Sequence, residues 1–135
     1  MGSVINQGLT ISILVVEDEA IALLYLVTTL AKKYPNVMIH KAANGRAGLE
    51  LFKTHMPEIV ITDINMPEMG GAQMAEKIRE IKPDTKFIVL TGFSGKPGEE
   101  NSIGNGFEND HCIVKPIIFK ELFDAIEQCV GCIHQ

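Results

Sequence analysis

Ile59-Val60-Ile61-Thr62-Asp63-Ile64-Asn65-Met66-Pro67-Glu68-Met69-Gly70-Gly71 carries an apolar, β-branched run into a single carboxylate and then into a turn closed by two glycines. A run as short and apolar as Ile59–Thr62 is the pattern of a strand buried on both faces, as in a parallel sheet. Amphipathic spacing over about Gly71–Ile81 then predicts a helix, and Lys82-Pro83-Asp84 supplies its stop. Strand, loop and helix in that order make one βα unit.

The same unit recurs on either side. Further strands are predicted at Thr10–Val16, Val37–Ala42, Lys86–Leu90 and His111–Val114. A first helix is expected from about Glu19 to Lys33, with Ile21, Leu24, Leu26 and Leu30 among its apolar positions and Pro35 closing it. Asn44 can cap a second helix from Gly45 to about Thr54, with Leu49 and Phe52 at helical spacing and Met56-Pro57 ending it. The last helix is expected over about Ile118–Cys129, with Leu122, Phe123 and Ile126 as its apolar face and Gly131 beyond its end. Between strands four and five the alternation calls for one more helix, but Gly95, Pro97, Gly98, Gly104 and Gly106 leave only a short or irregular one around Glu99–Ile103. The fold class is therefore α/β, a doubly wound five-stranded parallel sheet of order 2-1-3-4-5 with helices on both faces.

Composition sets the outer bounds. A chain of 135 residues that is 46% apolar and 21% charged fits one globular domain with a sizeable core. Residues 10–131 are assigned to that domain, 1–9 and 132–135 to tails, and Met1-Gly2-Ser3 reads as a cloning remnant. The apolar stretches are too short to span a bilayer, and the N-terminus lacks a signal-peptide pattern, so a cytoplasmic protein is expected. A net charge of −5 and a pI near 5.3 argue against direct nucleic-acid binding. Three cysteines suggest reduced thiols, and Cys129-Val130-Gly131-Cys132 has no second pair to complete a metal site. His40, His55, His111 and His134 share no metal-ligand spacing.

Strand order 2-1-3-4-5 places a topological switch point between strands one and three, so Glu17, Asp18 and Asp63 are expected to meet in one crevice. Like charges at close range need compensation, and hard oxygen donors favour Mg²⁺. Thr91 and Lys115 follow strands four and five at the same edge and add a hydroxyl and an ammonium. This set suits attack by Asp63 on a phosphoryl group. Each residue also has a plainer reading: Asp63 and Thr91 as turn residues, Glu17 and Asp18 as favourable charges at a helix N-terminus.

Val15-Val16-Glu17-Asp18-Glu19, Asp63 through Gly71, Thr91-Gly92 and Lys115-Pro116 together resemble the receiver domains of bacterial response regulators, flavodoxin-like in fold, over about Ile11–Val130. The resemblance implies that Asp63 is the phosphoacceptor and that Glu17 and Asp18 form the acidic pair holding Mg²⁺. It further implies the backbone carbonyl of Asn65 as a metal ligand, Thr91 as the switch hydroxyl, Lys115 as the lysine that pairs with the phosphoryl group, and Gly92 as an open approach to it. A histidine kinase or phosphotransfer protein would be the donor, an output domain or effector the recipient, and homodimerisation is left open. Such a domain catalyses only its own phosphorylation and dephosphorylation. The chain departs from the family in having Cys112, three residues before Lys115, where Tyr or Phe is usual, and in the Gly-rich Gly95–Asp110 segment. Those departures keep a second reading open, a pseudo-receiver that only binds a partner. A phosphatase with an aspartyl nucleophile would need a substrate pocket that the short loops after strands one and three do not offer.

Overall fold

The computed structural model of the protein describes residues 11–64, 66, 69–92 and 111–133. Its elements follow in the order β1 (Ser12–Val16), α1 (Ala20–Lys33), β2 (Met38–Ala42), α2 (Gly45–His55), β3 (Ile59–Asp63), α3 (Gly71–Ile81), β4 (Lys86–Thr91), β5 (His111–Val114) and α4 (Phe119–Ile133). The five strands form one parallel sheet in the order β2-β1-β3-β4-β5. Val16 pairs with Thr62, Asp63 with Leu90 and Thr91 with Val114, so the C-terminal ends of four strands lie along one edge.

Strand alternation sends side chains to two separate cores. Ile13, Val15, Ile59, Ile61, Ile88 and Leu90 face α1 and α4, meeting Leu23, Leu26, Leu30, Leu122 and Ile126. Leu14, Val16, Val60 and Phe87 face α2 and α3, meeting Leu49, Phe52, Met74 and Ile78. Each fully buried Leu, Ile or Phe contributes about 1.5–3 kcal/mol of transfer free energy, which fixes the register by making a one-residue slip very costly.

The strands lie where expected, but β1 and β2 start only at Ser12 and Met38, after Ile11 and Val37, while β3 and β4 each run one residue longer, so that Asp63 and Thr91 themselves end their strands. Thr10 lies outside the described residues, as does the expected helix around Glu99–Ile103. Of the apolar positions in α1, Leu26 and Leu30 join the core, whereas Ile21 and Leu24 are 79% and 59% exposed and Leu23 takes the buried position. The last helix does not stop before Gly131 but continues to Ile133, because Cys129 and Val130 are buried in the first core and Ile133 packs against it. Packing of that final turn outweighs the usual helix-ending preference of glycine.

Candidate functional site

Along the C-terminal edge of the sheet, the chain leaves β1 at Glu17. The Glu17 N–H donates to the Ala42 carbonyl oxygen of β2 at 3.1 Å, which turns the side chain inward, and the residue is 1% exposed. Its Oε2 accepts the N–H of Glu19, the N-cap of α1, at 3.0 Å. A carboxylate thus sits at the positive end of α1, where an orphan backbone donor needs a partner. This local bond explains why α1 begins at Ala20 without a side-chain cap of its own.

Lys115 crosses the crevice from the end of β5. Its N–H donates to the Thr91 carbonyl oxygen at 2.7 Å, anchoring the backbone beside β4. Its Nζ donates to Glu17 Oε1 at 3.0 Å and to Asp63 Oδ2 at 3.1 Å. Burial alone would push the lysine pKa down, but the hydrogen bonds it donates to Glu17 and Asp63, with the charges of those carboxylates, outweigh it and raise the pKa above its usual value. The ammonium therefore stays protonated across the physiological range.

Glu17, Asp18 and Asp63 each present a carboxylate oxygen within 4.8 Å of the others, with Glu17 and Asp63 buried and Asp18 exposed. Three carboxylates against one ammonium leave two formal negative charges. A donor set made wholly of carboxylate oxygen, open to solvent on the Asp18 side, fits a hard divalent cation such as Mg²⁺ and does not fit soft metals that seek sulfur or imidazole.

Thr91 ends β4 buried, beside Val114 in the register. Gly92 follows it exposed, and a Cβ built there would meet nothing within 4 Å among the described residues. Gly71 is the opposite case, since a Cβ there would collide with the Asp63 carbonyl, so α3 can start this close to the strand end only with glycine. The Asn65 carbonyl lies outside the described residues. Cys112 is exposed on β5, across from Val89, and partial desolvation raises its thiol pKa.

The structure thus brings Glu17, Asp18, Asp63 and Lys115 together and puts Thr91 at the same edge. Sequence reasoning assigned Lys115 to an incoming phosphoryl group and missed its bond to Glu17, because a buried carboxylate needing a counter-charge is visible only in three dimensions. It also passed over Thr62, whose hydroxyl donates to the Asp63 carbonyl oxygen at 2.8 Å. The signal available was the hydroxyl residue directly before the strand-end carboxylate.

Comparison with known proteins gives a consistent result. Residues 13–127 match the family model described as the response regulator receiver domain. The transcriptional regulatory protein SrrA of Staphylococcus aureus is 37% identical over 115 residues, covering 82% of this chain and 44% of that protein. The uncharacterized transcriptional regulatory protein YesN of Bacillus subtilis is 31% identical over 94 residues, covering 70% of this chain and 25% of that protein. The chain therefore spans less than half the length of these relatives. Among solved structures, the Thermotoga maritima response regulator TrrA in complex with Mg²⁺-BeF has a TM-score of 0.74 at 32% identity, covering 89% of this chain and 99% of that one. The signal receiver domain of an HD domain-containing protein from Pseudomonas fluorescens reaches a TM-score of 0.82 at 25% identity, covering 93% and 98%.

Proposed function

Since the chain belongs to the response regulator receiver domain family of two-component signalling systems, we propose that it is a phospho-accepting switch in which Asp63 takes a phosphoryl group from a histidine kinase or phosphotransfer protein. The observation that carries this reading is the Lys115 ammonium held 3.1 Å from Asp63 Oδ2 within a cluster of three carboxylates. An Asp63 oxygen would form the new P–O bond as the P–N bond of the phosphohistidine donor breaks and its electron pair returns to the imidazole. Lys115, already fixed by Glu17, offsets charge on the transferring group without having to reorganise. Glu17, Asp18 and Asp63 would hold Mg²⁺, with the Asn65 carbonyl as a further ligand; when bound, the ion supplies positive charge to the phosphoryl oxygens. The Mg²⁺-BeF complex of the Thermotoga relative supports this assignment.

Thr91 is the group to report the charge change, because it ends β4 directly beside the strand that leads to Lys115. A phosphoryl group shifts an equilibrium only through contacts that differ between two states, and the Thr91 hydroxyl offers one. The recipient would be an output domain or effector, in keeping with relatives that are transcriptional regulators more than twice as long as the matched segment. The domain would have no metabolic substrate, acting only in its own phosphorylation and dephosphorylation.

Cys112 favours one second reading. With no ring at that position, the domain would serve as a pseudo-receiver that binds a partner without switching. Incubation with acetyl phosphate and Mg²⁺, read by intact mass, separates the two. The switch gains one phosphoryl group in Mg²⁺ and none in EDTA, whereas an unchanged mass in both conditions supports the pseudo-receiver.

A further inference from the structure

Thr62 is the last residue of β3 before the carboxylate, and strand alternation turns its side chain to the face of Val60, away from Lys115. It is fully buried, in a place where valine or isoleucine would suit an otherwise apolar strand. Among the described residues its hydroxyl does not reach across to another element. It donates instead to the backbone carbonyl oxygen of the next residue, Asp63, at 2.8 Å.

That carbonyl belongs to the Asp63–Ile64 peptide. The other end of the same peptide is also tied, since the Ile64 N–H donates to the Leu90 carbonyl oxygen of β4 at 3.1 Å. One residue further, the Ile64 carbonyl oxygen accepts the N–H of Gly71 at 2.9 Å, and the Asp63 carbonyl lies so close to Gly71 that no Cβ fits. The peptide plane is thus held by β4 on one end, by the Thr62 hydroxyl on the other, and by the start of α3 behind it. The orientation of this plane sets the backbone angle ψ of Asp63, and with it the direction in which the carboxylate leaves the strand toward Lys115.

Resting on the phosphoacceptor reading of Asp63, we propose that Thr62 is a positioning residue that clamps the Asp63–Ile64 peptide and so aims the nucleophile. It touches neither donor nor metal and acts only through the main chain of Asp63. Displacement of a reacting group by about 1 Å costs up to about a hundredfold in rate, so loosening one of three ties is expected to cost about tenfold.

The test compares Thr62→Val, which keeps shape and burial but loses the donor, with Thr62→Ser, which keeps the donor. Initial phosphorylation rates are measured against acetyl phosphate concentration at saturating Mg²⁺, and amide hydrogen exchange of Ile64 is followed in parallel. In Thr62→Val the maximal rate is expected to fall about tenfold with the half-saturating concentration unchanged, and Ile64 exchange to accelerate; Thr62→Ser should restore both to within about twofold. A Thr62→Val protein that phosphorylates at the wild-type rate overturns the proposal, as does a Thr62→Ser protein as slow as Thr62→Val. If the wild-type protein takes no phosphoryl group at all, it is the phosphoacceptor reading that falls. The clamp is then judged on exchange alone, where equal Ile64 rates in wild type and Thr62→Val overturn it.

Discussion

Replacing Lys115 by Met removes one charge while keeping most of the aliphatic stem, so it isolates what the ammonium does between Glu17 and Asp63. At 3.0 and 3.1 Å each ion pair is worth about 5 kcal/mol gross at an effective dielectric near 20. Most of that is spent on desolvating Glu17, which is 1% exposed. Stranding a fully buried charge costs about 3–5 kcal/mol, but the Lys115 side chain is 34% exposed and water can enter where it stood, which lowers the expected loss to about 2 kcal/mol. For a domain of this size that corresponds to a drop in Tm of about 6–10 °C, measured by thermal unfolding at pH 7 in EDTA. Adding Mg²⁺ should then raise the Tm of Lys115→Met more than that of the wild type, because the variant crevice holds three carboxylates and no internal cation. The pH dependence has a definite sign. The folded-state pKa of Lys115 is raised above 10.5, so its contribution is complete below that value and is lost as pH rises through the higher folded value. The gap between variant and wild type should therefore hold from pH 7 to about 10 and narrow above it. A variant that melts within about 1 °C of the wild type in EDTA would refute the electrostatic account of the crevice.

Gly71→Ala should cost about 1–3 kcal/mol in chemical denaturation, because the added Cβ meets the Asp63 backbone and no flexible side chain is there to yield; unchanged stability would contradict the packing described. Asn44→Ala should cost about 1 kcal/mol, since the Asn44 side chain accepts the Ala47 N–H at 2.7 Å as the cap of α2, and the same denaturation series reads it. Tyr34→Phe should leave stability unchanged or raise it by up to about 1 kcal/mol, because the buried Tyr34 hydroxyl finds no hydrogen-bond partner among the described residues. Burial, and then the nearby Glu127 carboxylate, raise the Tyr34 pKa well above 10.0, so above that pH ionisation favours the unfolded chain and stability falls as the pH rises. The alkaline decline in stability should be shallower in Tyr34→Phe, and an identical decline would count against this.

Much of the fold was legible because its signals are local. Runs such as Ile59–Thr62 and Lys86–Leu90 are too short and too apolar to be anything but buried strands, and Asn44 and Pro57 bracket α2 by turn chemistry alone. The rest is decided by tertiary packing. Ile21, Leu23, Leu24 and Leu26 are all apolar, and only contact with the sheet selects Leu23 and Leu26 for the core. Gly131 carries a helix-ending preference, yet burial of Cys129 and Val130 draws the helix onward. For the site, strand order sufficed to bring Glu17, Asp18 and Asp63 to one crevice. The two hydrogen bonds of the Lys115 ammonium and the contact of the Thr62 hydroxyl with the Asp63 carbonyl depend on distances of a few ångströms that no residue pattern encodes.

The central claim is that Asp63 is the phosphoacceptor. Its most direct test is to treat the protein with acetyl phosphate and Mg²⁺, reduce it with borohydride, which converts an aspartyl phosphate to homoserine, and locate the change by peptide mass. The account predicts homoserine at position 63 and nowhere else, with no conversion in Asp63→Asn. Conversion at Asp18 or any other carboxylate of the wild type, or none at position 63 despite a gain of phosphoryl mass, would contradict it.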